Sequence, residues 1–367
     1  MARYIHEFPD WPKFRWDEGR LAAPLAAARH LQGRLLGQME ALGFRVREEA
    51  VLQTLTEDVL KSSEIEGEKL DADQVRSSVA RRLGIDLGGL QAADRHVEGV
   101  VEMMLDATQH YDQPLTAERL FGWHASLFPT GRSGMHRITV GTWRDDRTAS
   151  MQVVSGPAGR ERVHFEALAA GRLDEEMRRF LEWFNSDAAT EPVLKAALAH
   201  LWFVTIHPFD DGNGRIARAI ADMALARSER SSRRFYSMSG QIREERGEYY
   251  RILEQTQRGP MDVTAWMEWF LGCLTRAIEA AQTALSSVID RARYWEKLRD
   301  VPLNERQWLV INRMLEGFEG KLTTSKWAAL TKSSNDTALR DIQQLVERGV
   351  LVRNAAGGRS TSYSLAD

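Results

Sequence analysis

Cysteine is almost absent: Cys273 is the one such residue in 367. A lone thiol excludes an internal disulfide framework and a thiolate metal cluster. Its place in the apolar run FLGCL makes it a small buried hydrophobe in a reducing, cytoplasmic setting. Proline is scarce at 10 residues, while hydrophobic residues reach 43% and charged residues 28%, which excludes a collagenous or largely disordered chain. An excess of one charge is also missing. The 49 basic and 52 acidic residues leave a formal charge of -3, so no global field recruits nucleic acid or an anionic membrane. No run approaches the ~18 uninterrupted apolar residues of a membrane span, and the opening MARYIHEFPDW has no signal-peptide apolar core. A soluble cytoplasmic chain with no membrane partner is therefore expected.

What the sequence does contain is helical periodicity. Apolar residues recur at three- and four-residue steps from Leu21 to Gly43, from about Val46 to Gly67, and over 71–83, 93–110, 117–127, 173–185 and 193–206. Further helices are expected over 214–227, 241–257 and 263–297. The exception is 150–166, where MQVVSG and RVHFE flank Gly-Pro-Ala-Gly, the pattern of a β-hairpin. After Val301-Pro302, three short helices at 305–316, 325–330 and 336–348 precede the strand-like runs VLVRN and STSYSL, the order of a winged helix-turn-helix. The expected fold class is all-α, with an N-terminal helical domain (1–90), a helical core carrying the hairpin (91–298) and a C-terminal winged helix (299–367). From Val301 onward nine Lys or Arg face seven Asp or Glu, a weak basic excess that leaves DNA binding and a purely architectural role equally open.

The most informative segment is HPFDDGNGRIAR, His207 to Arg218, lying between two strongly patterned helices. Gly212 and Gly214 permit positive φ and close approach of a ligand, so the turn can aim several N–H groups at one anion as a helix begins. Arg215 and Arg218, three residues apart in its first turn, present two guanidinium forks suited to a polyphosphate. Asp211 is the candidate Mg²⁺ ligand, holding the ion through one carboxylate while phosphates supply other ligands. His207, with an ordinary pKa near ~6.5, is the candidate base for an attacking hydroxyl. Phe209 reads as a core anchor, Asp210 as a solvated loop carboxylate, and His136 and His164 as surface or hairpin residues without metal-spaced partners.

This run resembles the Fic-family signature HxFx(D/E)GNGRxxR at every fixed position. The resemblance implies a helical Fic core and transfer of AMP from ATP to a Tyr, Thr or Ser hydroxyl of a target protein. In it His207 is the base, Asp211 carries Mg²⁺, the Asn213 region meets the α-phosphate, and Arg215 and Arg218 bind the β- and γ-phosphates. Glycine at position 214 fits adenylylation, because relatives that transfer phosphate usually carry lysine there. The hairpin, with Val153, Val154 and Ser155, is implied to be the flap on which a target, another protein or a second copy of the chain, docks by strand addition. Gln241, Tyr249 and Tyr250 stand in the region that lines the adenine pocket.

Upstream, SSEIEG from Ser62 to Gly67 resembles the family's inhibitory-helix pattern (S/T)xxxE(G/N). By that resemblance Glu66 pairs with Arg218 and blocks productive placement of the γ-phosphate. Two alternatives stay open at this point: removal of AMP from a modified protein, with Glu66 positioning water, and a DNA-binding regulator whose Fic core only senses nucleotide. The oligomeric state is open as well.

Overall fold

Side-chain caps and left-handed residues punctuate the chain into helices. The computed structural model describes residues 3–85, 91–145, 151–155, 160, 162–187, 190–315, 320–354 and 361–366. Asp17 caps α1 (Glu18–Glu40) by accepting the Arg20 N–H, and α2 (Phe44–Ile65) ends where Gly67 takes φ +86°. Asp71, Asp94 and Thr116 cap α3 (Ala72–Leu83), α4 (Arg95–Gln109) and α5 (Ala117–Leu127) in the same way. A two-residue ladder not foreseen from the sequence, β1 (Arg132–Ser133) and β2 (His136–Arg137), follows. The expected hairpin is β3 (Gln152–Ser155) antiparallel to β4 (Arg162–Glu166), with a register irregularity between Val153 and Val154. Its Gly-Pro-Ala-Gly turn, 156–159, lies outside the described residues.

Then come α6 (Leu173–Asn185), α7 (Pro192–Ile206) and α8 (Asn213–Glu229). From Val193 to Ile206 every residue of α7 except Lys195 is buried, and the helix packs against α8 at the centre of the core. The helix expected over 241–257 is two helices, α9 (Met238–Glu244) and α10 (Arg246–Gln257), broken at Glu245. α11 (Thr264–Lys297) closes the series.

Residues 1–282 form one compact unit and 283–367 a second. The 1–90 segment thus packs into the same body as the core. Arg15 exchanges backbone hydrogen bonds with Met261 and Val263, and Tyr4 stacks edge-on against Phe165 of β4 at 5.2 Å. Tyr4 of the opening segment therefore packs on the hairpin. In the second unit α12 (Glu305–Leu315), α13 (Thr324–Thr331) and α14 (Asn335–Glu347) are followed by β5 (Leu351–Arg353) and β6 (Tyr363–Leu365), around Val310, Trp327, Ile342 and Leu345. Tyr294, Trp295 and Leu298 pack on that cluster. The last turns of α11 accordingly belong to the second unit, so the division falls before the expected boundary at 298. The connection 355–360 lies outside the described residues. No helix among the described residues is long and apolar enough to cross a membrane.

Candidate active site

The loop 207–212 is held from both sides. His207 caps α7 in the left-handed region at φ 53°, and its N–H donates to the Phe203 carbonyl. Such a φ is uncommon outside glycine and persists where surroundings enforce it. The enforcing residue is buried Arg144, whose Nε donates to His207 O at 2.8 Å and whose N–H donates to Pro208 O. Phe209 is fully buried and stacks on His124 at 4.2 Å, as expected of an anchor. Asp210 departs from its expected role. It is half-buried, and its carboxylate accepts the Thr139 N–H at 2.8 Å, tying the loop to the segment after β2.

At the end of the loop Gly212 takes φ +80°, and the helix begins at Asn213. The N–H groups of that first turn have no partner inside the helix and make up the positive end of its dipole. The Asn213 side chain is not free to join them. It is buried, accepts Phe209 N–H at 3.0 Å and donates to Phe209 O at 2.7 Å. It braces the loop, and only its backbone N–H is left to meet a phosphate.

Both arginines are buried and both meet a carboxylate from the chain near α2. Arg218 Nη2 lies 2.8 Å from Glu66 Oε1, while its Nε donates to Ser62 Oγ at 3.0 Å and Nη2 to Ser62 O at 2.9 Å. Arg215 Nη1 donates to Glu68 Oε2 at 2.7 Å, and Glu68 also meets His96 Nε2 at 3.2 Å. Glu68 and His96 were not singled out from the sequence. The signal was the alternation of carboxylates at 64, 66 and 68. Arg215 Nε and Arg218 Nη1 are buried without a hydrogen-bond partner, which is costly unless an anion completes them. A Cβ on Gly214 would collide with Glu66 Oε1, so glycine here makes room for that carboxylate across the start of α8.

The segment that carries Glu66 is held by further hydrogen bonds. Asp58 of α2, fully buried, accepts Ser237 Oγ at 2.5 Å and the Ser239 N–H at 3.2 Å, and Arg246 Nε donates to Ile65 O at 2.8 Å.

His207, Gly214 and Glu66 line one cavity of about 480 Å³ with Val153, Val154 and Ser155 of β3 and Tyr249 and Tyr250 of α10. Tyr249 is buried, its hydroxyl 3.0 Å from His200 Nε2. Gln241 does not line the cavity. Its amide donates to Glu245 at 2.5 Å, and Glu245 pairs with Arg276. His164 lies on the hairpin as expected, where it also lines the cavity and meets a carboxylate, Glu254, at 2.7 Å. His136 is exposed on β2.

The electrostatics suit a base. Burial pushes the His207 pKa down to about 4, so the ring is neutral near pH 7. Nδ1 lies 3.3 Å from the Val204 carbonyl; with the proton there, Nε2 keeps its lone pair. Asp211 accepts the Gly212 N–H at 2.6 Å and a hydroxyl from Ser133. No group of three His, Cys, Asp or Glu able to cage a metal occurs among the described residues. Both Asp211 carboxylate oxygens are engaged by the Gly212 and Ser133 donors; a single carboxylate of this kind could hold Mg²⁺ only with phosphate and water as its other ligands.

The Fic/DOC family model matches residues 114–225, and a domain of unknown function, DUF4172, matches residues 4–85. The protein adenylyltransferase Fic of Drosophila willistoni is 26% identical over 283 residues, covering 74% of this chain and 49% of that protein. Its counterpart in Drosophila melanogaster is 25% identical over 255 residues, covering 66% and 44%. The chain thus spans about half the length of the curated relatives it matches. A Fic family protein from Desulfovibrio desulfuricans G20 shares the fold, with a TM-score of 0.56 at 21% identity over 95% of this chain and 96% of that one. A Fic domain containing signaling protein from Bacteroides thetaiotaomicron has a TM-score of 0.50 at 19% identity, over 75% and 97%.

Proposed function

With residues 114–225 a Fic domain, we propose that the chain transfers AMP from ATP to a Tyr, Thr or Ser hydroxyl of a target protein and is held off by its own carboxylates. The observation that carries this reading is the pair of buried guanidinium groups at the start of α8, each paired to a carboxylate and each with an N–H unpartnered, beside a neutral histidine. Such a site is complementary to a triphosphate once the carboxylates withdraw.

His207 Nε2 takes the proton of the target hydroxyl, whose oxygen attacks the α-phosphorus. The bond from that phosphorus to the bridging oxygen breaks, and pyrophosphate leaves. Asp211 would hold Mg²⁺, which neutralises triphosphate charge when bound. Arg215 and Arg218 orient the β- and γ-phosphates, and the first-turn N–H groups face the α-phosphate. The β3 strand supplies backbone groups for an extended target segment. Tyr249 and Tyr250 form the wall on which adenine stacks.

Inhibition follows from competition. While Glu66 occupies Arg218 and Glu68 occupies Arg215, the outer phosphates have no fork to align them, and the α-phosphorus is not in line. Glu66 faces the same cavity as His207, and this placement favours removal of AMP, with Glu66 orienting water, as the second reading. The test is intact mass after incubation with Mg·ATP, wild type against Glu66→Gly. An increment of one AMP in the variant supports transfer. Its absence, together with release of AMP from a modified protein by the wild type alone, selects the second reading.

A further inference from the structure

The flap and α10 contain a hydrogen-bonded chain that AMP transfer to a target does not use. Ser155 Oγ lies 2.6 Å from His164 Nε2, and His164 Nδ1 lies 2.7 Å from Glu254 Oε2. The sheet register creates the first contact. Ser155 stands opposite Arg162 and Val154 opposite Val163, while Val153 pairs with Phe165, so His164 is the unpaired residue at the irregularity of β4 and its ring is free of the regular alternation to reach Ser155. The second contact comes from α10, whose Glu254 is also held by Arg162 at 3.1 Å and Arg258 at 3.4 Å.

Burial alone would raise the Glu254 pKa, but the hydrogen bonds from His164 and Arg162 outweigh it and hold the carboxyl low and ionised. An anionic Glu254 draws the imidazole proton to Nδ1, which leaves Nε2 to accept the proton of the Ser155 hydroxyl. A hydroxyl within reach of a base that is itself oriented by a carboxylate is the arrangement that activates a serine. All three residues line the cavity shared with His207 and Gly214.

We propose that Ser155 is a nucleophile in its own right and the acceptor of AMP in a self-modification, with His164 as its base and Glu254 as the orienting carboxylate. The proposal rests on the reading of the cavity as a site for ATP. Ser155 Oγ forms a bond to the α-phosphorus, the bond from that phosphorus to the α,β-bridging oxygen breaks, pyrophosphate leaves, and the serine proton passes to His164 Nε2. AMP placed there would stand on the strand that an incoming target pairs with, so the modification would limit further transfer.

Two arms test this on the full chain. In the first, without nucleotide, diisopropyl fluorophosphate should label Ser155, located by peptide mass mapping. Labelling should fall at least about tenfold in His164→Ala and in Glu254→Gln, the scale of losing a general base or its orienting charge. Glu254→Gln keeps the side-chain shape but loses the ion pairs to Arg162 and Arg258, so a thermal melt and limited proteolysis matching wild type must accompany its loss of labelling. A Ser155 no more reactive than other exposed serines overturns the relay. In the second arm, Glu66→Gly with Mg·ATP should carry AMP on Ser155, and His164→Ala in that background should lose it. AMP on other residues with Ser155 bare overturns the acceptor role and leaves the transfer reading standing, whereas AMP nowhere overturns both.

Discussion

Removing the Glu66 charge is the perturbation whose size the structure allows to be worked out. The Glu66–Arg218 pair is 2.8 Å long, with the guanidinium 2% exposed and the carboxylate 30% exposed. Two unit charges about 4 Å apart at an effective dielectric near 20 attract by about 4 kcal/mol. Part of that is returned when the carboxylate swings into water. A charged hydrogen bond in this setting has a net worth of about 1.5 to 3 kcal/mol. A γ-phosphate that must first displace Glu66 loses that amount from its productive placement. At 1.36 kcal/mol per decade, Glu66→Gly should raise auto-adenylylation by roughly 10- to 150-fold. Gly is suited to the position, the C-cap of α2 at φ -85°, ψ 3°. Glu66→Gln, which keeps the shape and loses the charge, should give a gain in the same direction. Adding Glu68→Gln frees Arg215 and should increase the rate severalfold more, while Arg218→Ala in the Glu66→Gly background should reverse the gain. The assay is the time course of the AMP mass increment with Mg·ATP. Equal rates for wild type, Glu66→Gly and Glu66→Gln would refute charge competition as the brake.

Three further outcomes follow from the same geometry. His207→Ala in the Glu66→Gly background should lower transfer to an added target by about 10²–10⁴, with ATP binding by calorimetry little changed; an undiminished rate would assign the base elsewhere. Because burial holds the His207 pKa at about 4, the base form persists as pH falls from 7 to 5 and is lost only through about 4. The acid limb of kcat/KM for the Glu66→Gly protein should therefore lie well below the ~6.5 of an unperturbed histidine, and a midpoint at that ordinary value would show the ring to be solvated. Asp58→Ala leaves the Ser237 hydroxyl and the Ser239 N–H unpaired in a buried site. It should cost about 1–3 kcal/mol per group in a denaturant melt while raising basal AMP transfer, since α2 then holds Glu66 less firmly; a melt unchanged from wild type would refute that account.

The parts legible in the sequence were those governed by local chain geometry. Apolar spacing, capping residues and glycines marked most helices within a few residues, since periodicity and dihedral preference act over single turns. The dozen residues from His207 to Arg218 stood out because a glycine turn feeding a helix sets its base, carboxylate and arginines close together in the chain, although the loop's shape is completed by distant Arg144, which holds the His207 and Pro208 carbonyls. Pairings across the molecule were another matter. Arg218 meets Ser62 across 156 positions, Arg215 meets Glu68 across 147, and His164 meets Glu254 across 90. None of these three followed from a motif; the inhibitory pattern implied only that Glu66 reaches Arg218. The same limit explains the residues that turned away from their expected roles. Gln241 is taken up by Glu245, and Asp210 by the Thr139 N–H. Local propensity sets where a helix starts, but which carboxylate reaches which guanidinium depends on how α2 packs against α8 and α9, and that packing is decided by shape and burial summed over the whole core.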